Sequence, residues 1–303
     1  MGAIGWRDFW NSTNYIYVNA RHRNLHDRLV ARDIAGFIPS RDAAVLDYGC
    51  GEATAAETVA GCCRDLFLCD SAPNIHARLT SRFTGHAKIT VLSPEEVRTL
   101  PRDSLDVIVV NGLLQYLQKN DLNELLGTLH LLLKDNGIVV IGDVIPRGRS
   151  IFADAAALLG FGFKSGFFIA ALYGLVRTFF SNYLWLLLVH GLRRYDEAEI
   201  LAILRNAGFV AERHYPNIGH NQGRMTFVAS RAAVASDPIL TKPKDSTTDK
   251  FTTAKPYEIP ISGNSVAATA TRGSCGLDDW RFSIMQQWLN ILSAAVPSTS
   301  GAR

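Results

Sequence analysis

The sequence predicts a doubly wound α/β fold built on a mostly parallel sheet, and three observations point there. Five short apolar runs recur between residues 43 and 141, as expected of strands covered by helices on both faces. Helical stretches separate most of them, and strands alternating with helices favour parallel pairing. A glycine-bearing turn joins the first run directly to a helix. Two further strand candidates follow a long apolar insert.

The elements read in order as follows. Trp6, Phe9, Trp10, Tyr15 and Tyr17 crowd an N-terminal arm that needs a surface to pack on. Leu25, Leu29, Val30, Ile34 and Phe37 then recur at helical spacing, and Pro39 marks the end of that helix. Residues 1–40 thus form an arm and helix placed to act as a lid. The strand candidates are Ala43–Asp47, Leu66–Cys69, Ile89–Leu92, Val107–Asn111 and Ile138–Ile141. A helix is expected over Asp121–Lys134, with Asn120 as N-cap and Asn136-Gly137 as its stop. After the insert at 151–192, Asp196 opens a helix over Glu197–Ala207, with Glu199 completing a near capping box and Gly208 ending it. Val210–Tyr215 and Met225–Ser230 are the last strands, joined by Pro216–Arg224. Residues 232–303 are rich in Ala, Ser, Thr, Lys and Pro and read as a largely disordered tail. Within it, Trp280, Ile284, Trp288, Ile291 and Leu292 suit a short amphipathic helix near 278–293.

Composition narrows the function classes. The chain has 303 residues, 48% of them hydrophobic and 19% charged, enough apolar residues for a sizeable core. The net charge of +3 comes without a Lys/Arg run interleaved with aromatics, so no nucleic-acid partner is expected. Five cysteines in no metal-type spacing suit reduced thiols in the cytoplasm. The first residues carry Asp8 and no apolar stretch, unlike a secretory signal, and Trp6 stands where a myristoylation site needs Ser or Thr.

The chemistry begins at Val45–Glu57. A buried strand ends at Asp47, and Gly49 and Gly51 allow a sharp turn and close approach of a ligand to the backbone. A pyrophosphate bound here would face the Asp47 carboxylate at short range, which is unfavourable. Thr54 also replaces the third glycine of a dinucleotide fingerprint. A cationic ligand suits the carboxylate instead. Taken alone, Asp47 can also be a helix cap, Asp70 a turn residue and Cys50 a small buried residue.

With its neighbours, this stretch resembles the S-adenosylmethionine-dependent methyltransferases of the Rossmann-like class, in a bacterial branch of open substrate. Their motif reads Asp-x-Gly-x-Gly-x-Gly, with Ala53 here at the last position. The resemblance covers roughly residues 41–231 and implies a seven-stranded sheet with an antiparallel last strand. It implies that Asp47 and the backbone of Gly49, Cys50 and Gly51 hold the methionine end of S-adenosylmethionine. Asp70, beside Ser71, would accept from the ribose hydroxyls. Ser93 falls where relatives often carry an Asp near the adenine amine, and Asn111 ends the fourth strand beside the methionine portion.

Methyl transfer to oxygen also requires a proton acceptor. His220, in a loop with Asn217, Asn221, Gln222 and Arg224, is the first candidate base, and Asp143 after the fifth strand is the second. Each also suits a plain loop role. Arg23 or Tyr17 can meet the cofactor's carboxylate from the lid. His22 and His26 lie four apart without a Glu in an HExxH pattern, so no metal site is assigned. Residues 150–195, which include the insert, carry Lys164, Arg177, Arg193 and Arg194 against Asp154. The insert's apolar faces suit extra core, a dimer face, the roof over a greasy acceptor, or peripheral contact with the inner face of a membrane. The expected activity is methylation of O or N on a small, hydrophobic or lipid-like acceptor. A nicotinamide-dependent oxidoreductase and a non-catalytic, membrane-associated S-adenosylmethionine-binding protein are the rivals.

Overall fold

A computed structural model describes residues 6–11, 17–179 and 191–232. The tail with its expected amphipathic helix, and the end of the insert at 180–190, lie outside the described residues. The strands are β1 (Ala44–Tyr48), β2 (Asp65–Cys69), β3 (Ile89–Leu92), β4 (Leu105–Asn111), β5 (Leu133–Val144), β6 (Phe209–His214) and β7 (Met225–Arg231). They form one sheet in the order β3-β2-β1-β4-β5-β7-β6. The β1–β2, β2–β3, β1–β4 and β4–β5 pairs are parallel. β7 is antiparallel to both β5 and β6, so β6 runs with the parallel set. The loops leaving β1, β4, β5 and β6 therefore emerge at one edge. The strand order reverses between β1 and β4, where open α/β sheets bind ligands.

Helices cover both faces. They are α1 (Trp6–Asn11), α2 (Ala20–Ala35), α3 (Ala56–Ala60), α4 (Pro73–Phe83), α5 (Pro94–Val97) and α6 (Lys119–Leu132), then α7 (Ile151–Ser165), α8 (Phe168–Phe179) and α9 (Glu197–Asn206). Alternate residues of the central strands divide between two cores. Leu46, Ile108, Ile141 and Phe227 pack with Leu126 and Leu129 of α6 and Ile200 and Leu204 of α9. Val45, Val107, Val109 and Val140 pack with Ile34 of α2, Val59 of α3, and Ile75 and Leu79 of α4.

Two boundaries differ from expectation. α6 starts two residues earlier than Asp121, capped by Gln118 and Asp121 rather than by Asn120. It ends at Leu132 and passes directly into β5, which is 12 residues long and starts well before Ile138. Gly137 is thus inside a strand and not a helix stop. A Cβ there would sit 3.0 Å from the carbonyl oxygens of Leu105 and Asp106, so the position needs glycine for close approach of β4. The capping box of Asp196 and Glu199 forms as expected.

The insert starts as a helical hairpin tied to α2. Ser150 caps α7 through the Ala153 N–H, and Gly166, at φ 73°, ends it. The Arg21 guanidinium donates to the Ser165 carbonyl at 3.0 Å. A Cβ on Gly174 of α8 would overlap Val18, so the segment before α2 lies directly against the insert. Among the described residues, no helix is long and apolar enough to cross a membrane.

Candidate active site

The turn after β1 consumes its own donors. The N–H groups of Gly49 and Cys50 both donate to the Cys69 carbonyl, at 2.8 and 3.0 Å. The Gly51 N–H donates to Asp70 Oδ2 at 3.0 Å, and Asp70 Oδ1 accepts from the Ala72 N–H at 2.9 Å. Gly49 and Gly51 take φ of 80° and 58°, and a Cβ on Gly51 would meet nothing within 4 Å, so the turn borders open space. Ala53 adopts φ 41°, the left-handed region where a glycine is relaxed. What the family's glycine supplies there is backbone freedom rather than small size.

Asp47 lies near the end of β1, half-buried. Burial, and secondarily the charge of Asp70, push its carboxyl up to about 7. Burial also raises Asp70, against the two N–H bonds that favour its ionised form. The Cys50 thiol is driven up by burial and by the carboxylates of Asp47 and Asp70, which leaves it unreactive. Ser71 is exposed. Ser93 is the N-cap of α5: its hydroxyl accepts from the Glu96 N–H at 3.2 Å, and its own N–H donates to Glu96 Oε2 at 2.7 Å.

Asn111 ends β4 with its side-chain oxygen buried and unpaired. A Cβ on the facing Gly142 would overlap that oxygen and approach Ile218 Cδ1 to 2.9 Å. Asp143 follows in an irregularity of the β5–β7 pairing, at φ 56°, which turns it away from the regular strand. Its N–H donates to Asn217 Oδ1, and its carboxylate meets Arg224 at 3.4 Å. Arg224 also binds Asp154 of α7 at 2.9 Å, and Arg149 joins Asp154 and Asn221 at 2.8 Å each. Gln222 donates to the Asn217 and Gly219 carbonyls. The polar residues after β6 therefore hold their own loop against β5 and α7. Their spacing alone offered them as ligand contacts.

The same loop carries His220 to α2. The Gly219 N–H donates to Asp33 Oδ2 at 2.9 Å. His220 Nδ1 and His26 Nδ1 lie 3.3 Å apart. Phe161 of α7 stacks on His220 at 4.6 Å between centroids, and Phe167 stacks on His22 at 5.0 Å. Tyr17 packs 5.6 Å from His26 and donates to Asp27, which also accepts from the Thr54 hydroxyl beyond the glycine turn. Burial, with mutual repulsion in support, holds His22, His26 and His220 each near 4. All three imidazoles are neutral at pH 7. Burial and the carboxylates of Asp27 and Asp143 raise the Tyr17 hydroxyl. Among the described residues, no three side chains form a metal-ligand group. Spacing alone did not reveal the contribution of His26, Asp27, Phe161 and Phe167. The one available signal was the pair His22 and His26 on one helix face.

A family model described as a methyltransferase domain matches residues 19–214, well over half of the chain. The chain belongs to this methyltransferase family. The fold and the family expected from the glycine turn are the ones observed. No curated protein matches the chain. Similar solved structures include the pyocyanin biosynthetic protein PhzM, at 16% identity and TM-score 0.45 over 68% of this chain. The mitomycin 7-O-methyltransferase MmcR is 18% identical over 70% of this chain, with TM-score 0.48. The magnesium protoporphyrin IX methyltransferase ChlM from Synechocystis PCC 6803, with bound SAH, is 14% identical over 75% of this chain and 93% of its own, with TM-score 0.47. The chain spans 55% of the length of PhzM and 56% of MmcR.

Proposed function

We propose that the chain transfers a methyl group from S-adenosylmethionine to O or N of a small, apolar acceptor, with His220 as base. The observation that carries this reading is the state of the glycine turn. A pyrophosphate needs free backbone N–H donors, and those of Gly49, Cys50 and Gly51 are already bonded. What the turn offers is acceptors: two carboxylates with raised pKa values and the orphaned oxygen of Asn111. That donor-poor, acid-rich corner fits an ammonium, a sulfonium and ribose hydroxyls. Asp47 and Asn111 would hold the methionine end, and Asp70 the ribose. When bound, S-adenosylmethionine supplies a methyl already activated on a cationic sulfur. The protein's work is alignment, exclusion of water and disposal of a proton.

Calorimetric titration tests the reading. S-adenosylmethionine binds and NADH does not, and Asp47→Ala weakens binding on the order of 100-fold through loss of charge-assisted contacts. NADH binding by a sample that ignores S-adenosylmethionine would favour the oxidoreductase.

The acceptor's apolar character rests on the insert. Phe163, Ile169 and Tyr173 are 78%, 76% and 67% exposed on α7 and α8, which form a hairpin beside the histidines. This face also supports peripheral contact with a membrane. Flotation with anionic vesicles measures that contact, and Phe163→Ser with Ile169→Ser is expected to lower the floated fraction.

A further inference from the structure

We infer that His26 and His220 act as one base, a paired imidazole that takes the proton of a neutral hydroxyl, so that the acceptor atom is oxygen. The inference rests on the methyltransferase reading and names the substrate class of that same site.

The two rings come from α2 and from the loop after β6, and their Nδ1 atoms lie 3.3 Å apart. Two nitrogens at that distance share a proton: one Nδ1–H donates and the other Nδ1 accepts. The donating ring then has a bare Nε2, and the accepting ring carries its proton on Nε2. His22 is outside this exchange, because its Nδ1 accepts the Val18 N–H at 3.3 Å. A proton arriving at the bare Nε2 turns the donor ring into an imidazolium that keeps its Nδ1–H···Nδ1 bond to the neighbour. The second imidazole thus takes the place that a carboxylate often fills behind a catalytic histidine.

The surroundings explain why oxygen is the atom methylated. Facing the pair are His22 on α2, Tyr17 before it, Phe161 and Asp154 on α7, and Arg224 just before β7; Arg23, Asp27 and Asp143 act on Tyr17, and Phe167 stacks on His22. Each of the carboxylates is engaged elsewhere: Asp27 by Tyr17 and Thr54, Asp154 by Arg149 and Arg224, Asp143 by Arg224. An alkylamine reaches an enzyme as a cation at neutral pH, and none of these carboxylates is free to receive it. A hydroxyl arrives neutral. In the transfer the O–H bond breaks, its electron pair forms the O–CH3 bond, the C–S pair returns to sulfur, and the proton goes to Nε2. One positive charge leaves the sulfur and one appears on the imidazole pair. A weakly acidic hydroxyl, phenolic or enolic, matches a base of such low basicity, and the rings of Phe161, Phe167 and Tyr17 suit a flat, apolar body.

Nitrogen NMR of the histidine-labelled full chain tests the pair without any turnover. One of the two rings is expected as the Nδ1–H tautomer and the other as Nε2–H, and the first proton taken up on acidification appears on both rings together. In His220→Leu, His26 loses the partner of its Nδ1 and with it any tautomer preference, while burial keeps its pKa low; His26→Leu does the same to His220. Two rings that titrate independently and ignore each other's substitution overturn the pair. 2-Naphthol and 2-(aminomethyl)naphthalene, an alkylamine that is a cation at neutral pH, probe the acceptor atom, with released S-adenosylhomocysteine as the readout. The naphthol is expected to be turned over and the amine not. Each single variant is expected to lose on the order of 100-fold or more in kcat, the double variant no more than the worse single, with S-adenosylmethionine affinity unchanged. Preference for the amine, or turnover of neither, overturns the oxygen assignment. Absence of S-adenosylmethionine binding in calorimetry overturns the methyltransferase reading instead, whatever the imidazoles do.

Discussion

At the glycine turn, Asp47 and Asp70 come from the ends of two adjacent parallel strands, and their environment pushes acids up. At the histidine corner, His26 and His220 are 194 residues apart in sequence, and their environment pushes bases down. Burial is the first cause in both, because it disfavours whichever form is charged. The two corners therefore wait in complementary states. One holds carboxyls that gain from an arriving cation. The other holds neutral imidazoles, which in the proposed reaction take up the proton released as that cation's charge is discharged.

The sharpest break in the comparison comes from pH. A carboxyl raised from 3.8 to about 7 favours the folded, empty protein while protonated. That stability is present below pH 4 and is lost as pH climbs from about 4 to about 7. A bound cation reverses the preference, so S-adenosylmethionine affinity is expected to rise about tenfold per pH unit up to near 7 and then level. Calorimetry from pH 5.5 to 8 measures it. Asp47→Asn is expected to flatten the profile and to raise the Tm of the empty protein at pH 8. A profile unchanged in that variant would place the titration elsewhere.

A smaller effect joins the two corners. Gly142 lies between Asn111 of the cofactor side and Ile218 of the histidine loop. Gly142→Ala is expected to cost about 1–3 kcal/mol in denaturant unfolding, since both neighbours must move, and to weaken cofactor binding as well. The least effect serves as the control. Gly127, exposed in α6 with open space around it, is expected to gain about 1 kcal/mol on Gly127→Ala, with both sites untouched. An equal loss in the two variants would show that Gly142 matters only as backbone.

Much of the first corner was legible in the chain because it is local. A buried strand, an acid, a glycine turn and a second acid 19 residues after Gly51 lie in one continuous stretch. The fully buried strands were legible for the same reason. Gly137 was misleading: next to Asn136, at the end of an apolar helix, it mimics a stop signal, and only the carbonyls of Leu105 and Asp106 across the sheet show why it is glycine. Ser93 was ambiguous likewise, since Ser followed by Glu three residues later is equally a capping box.

The chain by itself determined the alternation of elements, the acidic character of the glycine turn and the family, because propensity, burial pattern and turn chemistry act over a few neighbouring residues. Tertiary structure alone decided that the turn's N–H groups are spent on Cys69 and Asp70, that the loop after β6 is held to Asp143 and Asp154, and that His26 meets His220. Those outcomes depend on which strands become neighbours and on where the insert folds back against α2. Long-range packing sets both, and no local spacing encodes them.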